Sequence, residues 1–95
     1  MCPATPPSSL AEAFAAAQER ARGLPKTPTN SELLDLYALY KQGTLGDARG
    51  KRPGLFDVRG RAKYDAWAAR AGTPKEAAMQ AYVELVAELV EKYGR

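Results

Sequence analysis

Three stretches of the chain place apolar residues three and four positions apart, which is the spacing of one face of a helix. The first face covers residues 10–24, and the second, at 33–40, is apolar over more than half of the helix circumference. The last is a long apolar face over 78–93, and a further helix from about 58 to 71 is predicted from the cap residue before it and the glycine after it. Strand-like alternation is not found. The pattern therefore predicts an all-α fold, a four-helix bundle.

Local signals predict where these helices begin and end. Ser9 and Thr29 are each followed three residues later by glutamate, which is the spacing of a capping box. Asp57 is a suitable cap for the third helix, and Thr73-Pro74 supplies a cap followed by proline at the first helical position. The glycines that follow the predicted helix ends are Gly23, Gly72 and Gly94.

A long loop, residues 46–57, separates the second and third helices and contains three glycines and a proline. Loops of this length in small domains are often functional. We expect Leu55 and Phe56 to anchor the loop onto the core. We also expect Gly43 to loosen the end of the second helix, because glycine disfavours a helix interior.

The 95-residue length fits one small domain with a single core. Residues 1–8 contain three prolines and small polar residues, so we interpret them as a flexible leader and residues 9–95 as the domain. No apolar run approaches the roughly 18–20 residues of a membrane span, and the start lacks the pattern of a secretory signal. Cys2 is the only cysteine, which excludes an internal disulfide. We therefore expect a cytoplasmic monomer.

The absence of histidine removes the usual metal clusters and the usual base for a serine or cysteine nucleophile. The remaining carboxylate pairs fall on helix faces that are expected to be exposed. We therefore predict no catalytic residue, no metal site and no cofactor, and hence a protein that is not an enzyme.

The net charge of +3 is distributed unevenly. Residues 41–70 hold eight lysines and arginines against three aspartates, which indicates a local anionic partner unless this surface serves only for solubility. A helical module that binds nucleic acid or another protein is an alternative. The modest total charge and the lack of a recognised DNA-reading helix disfavour nucleic acid. A membrane-surface helix is also disfavoured, because no helix pairs a strongly basic face with a bulky apolar one.

Tyr37, Tyr40 and Lys41 lie three and four positions apart near the end of the second helix, so we expect them to project together. Two phenol rings beside an ammonium group can hold a flat aromatic group and an anion. On these residues alone, a core role for the tyrosines stays open. Tyr82 belongs to the core face of the fourth helix, where its hydroxyl would need a polar partner, and Trp67 is expected in the core.

Ordered sequence segments from about Phe14 to Gly94 resemble the acyl-coenzyme A binding protein family without gaps. The segments that carry the resemblance are LYALYKQGTLGD at 36–47, RPG at 52–54, GRAKYDAW at 60–67, AMQAYV at 78–83 and KYG at 92–94. The departures include Tyr64, where many members have tryptophan, and Gln18, where a small apolar residue packs the first helix against the fourth.

The resemblance implies a four-helix bundle that binds, buffers and transports medium- to long-chain fatty acyl-CoA thioesters without altering them. It also implies that enzymes producing or consuming acyl-CoA are possible partners. The residues at the family's ligand-binding positions are Arg22, Tyr37, Tyr40, Lys41, Arg59, Lys63 and Tyr82. By resemblance, Tyr37 helps to hold the adenine and the 3′-phosphate of CoA, and Lys41 and Lys63 bind the phosphate charge. Arg22 and Arg59 stand where lysines are common.

Overall fold

The computed structural model describes residues 9–94, so the leader expected at 1–8 lies outside the described residues. Four helices follow in order: α1 (Leu10–Arg22), α2 (Asn30–Leu45), α3 (Val58–Ala68) and α4 (Lys75–Tyr93). α4 packs against α1 and α2, while α3 packs against α2 alone among the helices. The described range contains no strand, and the predicted all-α four-helix bundle is confirmed. None of the four helices is long and apolar enough to cross a membrane.

The apolar core lies between α1, α2 and α4. Its buried members are Phe14, Ala17, Leu36, Leu39, Ala78, Tyr82, Val86 and Leu89. Gly43 lies where α2 meets α4, and a Cβ placed on it would be 2.9 Å from the Cγ atom of Met79. α2 continues through Gly43 and ends at Leu45, and the loosening of this helix end stays a prediction. The missing side chain of Gly43 permits close approach of the two helices.

Three of the predicted caps form. Ser9 Oγ accepts a hydrogen bond from the Glu12 amide at 3.1 Å, and Asp57 Oδ1 accepts one from the Gly60 amide at 3.0 Å. Thr29 and Glu32 form the complete capping box at the start of α2. Each of these caps depends on atoms only three residues apart, which is why local sequence is enough to predict them.

The C-terminal end of α3 and the start of α4 differ from the prediction. α3 ends at Ala68 rather than Ala71, because the amides of Arg70 and Ala71 donate to carbonyls three residues back and tighten the chain into a turn. α4 begins at Lys75 with Pro74 as its cap and has no side-chain capping bond. Thr73 is held in the preceding connection, where its carbonyl accepts a hydrogen bond from Gln42.

The start of α2 is tied to the end of α4 through Glu32. Its carboxylate accepts hydrogen bonds from Lys92 Nζ at 2.8 Å and from the Tyr93 hydroxyl at 2.6 Å. These bonds, the Lys92 bond foremost, together with one from the Thr29 amide, lower the pKa of Glu32 from 4.5 to about 2. The carboxylate is therefore ionised at neutral pH and closes this end of the bundle.

On its other side, polar contacts fix the segments that follow α2 and α3. Gln42 is fully buried, and its Nε2 donates to Asp47 Oδ1 and to the Thr73 carbonyl, both at 2.8 Å. Trp67 is buried as predicted, and its indole N–H donates to the Gly46 carbonyl at 2.7 Å. Gly46 has a φ of +86°, a conformation that favours glycine.

The long loop at 46–57 is present, but the anchoring role expected for Leu55 and Phe56 is wrong. Their exposed fractions are 72 % and 95 %. The reason is a backbone turn in which the Asp57 amide donates to the Gly54 carbonyl at 3.0 Å and holds both side chains outward. Sequence hydrophobicity alone does not show which apolar loop residues have a surface to pack on.

Candidate functional site

Two open hollows lie on opposite sides of α2. The larger one, about 450 Å³, is between α2 and the first half of α3. Its lining residues are Asn30, Leu33, Leu34, Tyr37, Val58, Arg59, Ala62 and Lys63. Apolar side chains thus form much of this hollow, with basic groups of α3 beside them. We call it the α2–α3 hollow.

The second hollow, about 310 Å³, lies between α1 and α2, with Tyr82 of α4 contributing to its wall. Its lining residues are Gln18, Ala21, Arg22, Pro28, Leu33, Leu36, Tyr40 and Tyr82. We call it the α1–α2 hollow. Leu33 lines both hollows, so one ligand with two chemically different parts can reach both by crossing α2 at this residue.

Two lysines from different helices converge on the ring of Tyr37. Lys41 Nζ of α2 lies 5.8 Å from the ring centroid, and Lys63 Nζ of α3 lies 5.4 Å from it. Lys41 Nζ is also 5.3 Å from the centroid of the Trp67 ring. Within residues 9–94 neither lysine forms an ion pair. The cluster concentrates positive charge beside an aromatic surface, which suits an anionic group such as a phosphate.

The α1–α2 hollow combines aromatic rings with a hydroxyl. Phe14 stacks on Tyr40 with centroids 6.0 Å apart and meets Tyr82 edge-on at 5.0 Å. Burial raises the pKa of Tyr82, and the positive charge of Arg22 opposes that rise in part. The Tyr82 hydroxyl therefore stays neutral at physiological pH and can donate a hydrogen bond to a ligand. Arg22 itself forms an ion pair with Glu19.

The structure brings together some of the predicted ligand-binding residues and separates others. Tyr37, Arg59 and Lys63 line the α2–α3 hollow, and Lys41 lies beside Tyr37. Tyr40, by contrast, lines the α1–α2 hollow, so Tyr37 and Tyr40 do not project together as expected. Positions three apart on a helix still differ in direction. Because α2 has neighbouring helices on both sides, that difference sends the two rings into separate hollows.

The two further predicted residues, Arg22 and Tyr82, join Tyr40 in the α1–α2 hollow. The residues that sequence reasoning missed are the apolar lining of the α2–α3 hollow, chiefly Leu34, Val58 and Ala62, together with the shared Leu33. A signal for the leucines was available, because α2 is apolar over more than half its circumference. A helix of that kind has apolar side chains left over after it has filled one core.

This fold and this pair of hollows define a small all-α ligand-binding domain. Concave, largely apolar sites with a few placed polar and charged groups are typical of small-molecule binding. No cluster of three or more potential metal ligands lies within residues 9–94.

Comparison with known proteins gives the family. The family model described as acyl CoA binding protein matches residues 11–86, and the chain belongs to this family. An acyl-CoA-binding protein homolog from Caenorhabditis elegans is 54 % identical over 71 residues, which cover 75 % of this chain and 83 % of that protein. A homolog from Drosophila melanogaster is 45 % identical, covering 90 % of this chain and 99 % of that protein. Both are named as binding proteins, not as enzymes.

Solved structures agree with this assignment. The crystal structure of acyl-CoA-binding protein 2 from Oryza sativa is 44 % identical and superposes with a TM-score of 0.85, covering 88 % of this chain and 93 % of that one. The crystal structure of the protein from Moniliophthora perniciosa gives 44 % identity and a TM-score of 0.80, covering 86 % and 81 %. The four-helix arrangement is therefore the fold of the family.

Proposed function

We propose that this protein binds medium- to long-chain fatty acyl-CoA thioesters without changing them chemically, and that it buffers and carries them in the cytoplasm. The observation that carries this proposal is the convergence of Lys41 and Lys63 on Tyr37 at one edge of an apolar hollow. Acyl-CoA combines the three groups that such a site can hold: phosphates, a flat adenine and a hydrocarbon chain. Family membership supports the same ligand.

The two hollows suggest how the ligand is divided. Lys41 and Lys63 bind the 3′-phosphate, with Tyr37 beside the phosphate and the adenine. The hydroxyl of Tyr82 and the ring of Tyr40 supply polar and aromatic contacts to the CoA part in the α1–α2 hollow. The acyl chain follows the apolar lining of the α2–α3 hollow, with Arg59 at its edge. Arg22 contributes positive charge on the α1 side.

Affinity and selectivity come from different parts of this site. Burial contributes about 0.8 kcal/mol per methylene, so a chain of about a dozen methylenes contributes on the order of 10 kcal/mol. The loss of freedom on binding offsets several kcal/mol of this. The hydrocarbon chain thus drives binding, while the lysines and tyrosines distinguish acyl-CoA from a free fatty acid.

Isothermal titration calorimetry with palmitoyl-CoA tests the proposal. Lys41→Ala and Lys63→Ala are each expected to weaken binding by about 10- to 100-fold, because each removes a charged hydrogen-bond donor to the phosphate. Lys75→Ala is the matched control, since Lys75 is exposed and lines neither hollow. Palmitoyl-CoA that lacks the 3′-phosphate should bind less tightly to the unmodified protein and lose its sensitivity to the two lysine variants. Absence of binding heat at micromolar protein would refute the proposal.

The non-enzymatic part of the proposal has a separate test. Palmitoyl-CoA incubated with the protein should be recovered intact, as measured by mass spectrometry. Time-dependent release of free CoA at a rate that follows protein concentration would show that the protein is an enzyme. Mass spectrometry of the natively purified protein would then identify which acyl lengths it carries.

A further inference from the structure

The turn at residues 54–57 presents two large apolar side chains at its tip. The Asp57 amide donates to the Gly54 carbonyl at 3.0 Å, which places Leu55 and Phe56 at the two corners. Leu55 is 72 % exposed and Phe56 is 95 % exposed, and Val58 directly after the turn is 72 % exposed. Of the large hydrophobic residues in the described range, these three are the most exposed. A contiguous exposed group of this kind usually marks an interaction site.

These side chains are exposed although the chain on both sides of the turn is hydrogen-bonded to α3. On one side of the turn, Arg52 donates two hydrogen bonds to the Asp65 carboxylate, at 2.8 and 2.7 Å. Further back, the Tyr64 hydroxyl donates to the Gly50 carbonyl at 3.1 Å. On the other side, Asp57 caps α3. Because both flanks are fixed to α3, the turn holds the side chains of Leu55 and Phe56 on the protein surface.

Basic residues are frequent in the sequence on both sides of this apolar tip. Between residues 49 and 63 the chain has six lysines and arginines and a single acidic residue, Asp57, whose carboxylate is used as the α3 cap. Arg49 and Lys51 on the loop and Arg59 on α3 are exposed, and none of them forms an ion pair within residues 9–94. Because the loop runs back along α3 to the start of that helix, these cations flank the turn from two sides.

An apolar protrusion with exposed cations in the sequence on either side has the chemistry of a membrane-surface anchor. Leucine and phenylalanine enter the boundary between headgroups and acyl chains, while lysine and arginine are attracted to anionic headgroups. A protein surface would need complementary shape and paired carboxylates, for which this small convex tip offers little area. A membrane surface requires only the depth and the charge that the turn provides.

We propose that the 54–57 turn docks this protein on anionic membrane surfaces, with Leu55 and Phe56 inserted and Arg49, Lys51 and Arg59 facing the headgroups. Val58 and Arg59 also line the α2–α3 hollow, so docking brings the edge of that hollow to the lipid. The inference goes beyond ligand binding and stands on the turn and its charges alone. It therefore holds or fails separately from the acyl-CoA assignment.

Vesicle co-sedimentation tests this inference on the full chain. Vesicles of three parts phosphatidylcholine to one part phosphatidylserine should pellet the protein at low salt, and vesicles of phosphatidylcholine alone should pellet much less. The double variant Leu55→Ser/Phe56→Ser should reduce binding to the mixed vesicles by at least about tenfold, because two inserted side chains are lost. Its thermal midpoint and its affinity for palmitoyl-CoA in calorimetry should be unchanged.

Matched variants sharpen the test. Leu45→Ser changes a leucine that is 40 % exposed at the end of α2, outside the turn, and should leave vesicle binding intact. Arg49→Gln/Lys51→Gln should weaken binding to the mixed vesicles and reduce its dependence on salt. Equal pelleting of the serine double variant and the unmodified protein would overturn the proposal.

Discussion

The two sides of α2 are built differently. Toward α1 and α4, the helix contributes Leu36 and Leu39 to a core of buried apolar side chains. Toward α3, it meets a helix whose one buried residue is Trp67. The hydrogen bonds of Gln42 on that side reach the loop after α2 and the connection before α4. Hydrophobic burial is the main source of stability in a small domain. The first side therefore carries most of the free energy of unfolding.

The second side carries most of the charge that the proposed function needs. Lys63 and Arg59 are on α3, and Lys41 faces α3 from α2. Because α3 packs on α2 alone among the helices, it can adjust its position without disturbing the core. Regions with few buried apolar contacts open at a lower free energy than the core does. This small bundle therefore keeps its stability and its binding charges on opposite sides of one shared helix.

The largest expected change in the free energy of unfolding comes from truncating a buried side chain in the α1–α2–α4 core. Leu89→Ala should lower the free energy of unfolding by about 2–5 kcal/mol, because Leu89 is 2 % exposed and its truncation leaves a cavity. Leu55→Ala removes the same atoms from an exposed site and should change it by no more than about 0.5 kcal/mol. Urea unfolding followed by circular dichroism measures both. Similar losses in the two variants would mean that the core does not dominate stability.

The helix count, the long loop and three of the caps follow from the sequence because each depends on nearby residues. Ser9, Thr29 and Asp57 reach amides only three residues away, and helical spacing is read within a single segment. The predicted packing of Leu55 and Phe56 on the core is wrong for the opposite reason. Whether an apolar side chain in a loop is buried depends on what lies opposite it, and that is decided by the packing of the whole chain.

The candidate site, too, can be predicted from the sequence only where its residues lie close together along the chain. Spacing places Lys41 on the same face of α2 as Tyr37, but it does not show that Lys63 approaches that ring from α3. That pairing came from the family resemblance, because it depends on how two helices pack. Tyr40 shows the limit of helical spacing, since its ring lines the α1–α2 hollow and stacks on Phe14 of the core. The roles of these residues in binding stay predictions until the ligand is titrated.

An intermediate effect is expected at the joint between the loop and α3. Trp67→Phe should lower the free energy of unfolding by about 1–3 kcal/mol, because it leaves the Gly46 carbonyl without the indole N–H. Tyr64→Phe is the matched control, since it removes an exposed bond to Gly50 and should cost less. Hydrogen exchange should rise in α3 and its loop while α4 stays protected. Uniform loss of protection would show that the two sides unfold as one unit.

A smaller effect, present at neutral pH and lost in acid, is expected at Glu32, which joins the start of α2 to the end of α4. Hydrogen bonds from Lys92 and Tyr93 hold its pKa at about 2 in the folded protein, against an ordinary value of 4.5. A depressed carboxyl pKa stabilises the fold above the ordinary value and loses that contribution as pH falls toward the folded value. Thermal midpoints should therefore drop between about pH 4.5 and 2, and Glu32→Gln should flatten part of that drop.

Asp65 provides the matched comparison on the α3 side, where the hydrogen bonds from Arg52 also lower a carboxyl pKa. Both partners of that pair are about half exposed, whereas the Glu32 side chain is only 19 % exposed, so water screens the Asp65 pair more strongly. Asp65→Asn should therefore change the acid limb of the stability curve less than Glu32→Gln does. A larger effect of Asp65→Asn than of Glu32→Gln would place the acid-sensitive contact between α3 and its loop. The contact between α2 and α4 would then not be the more stable side of α2.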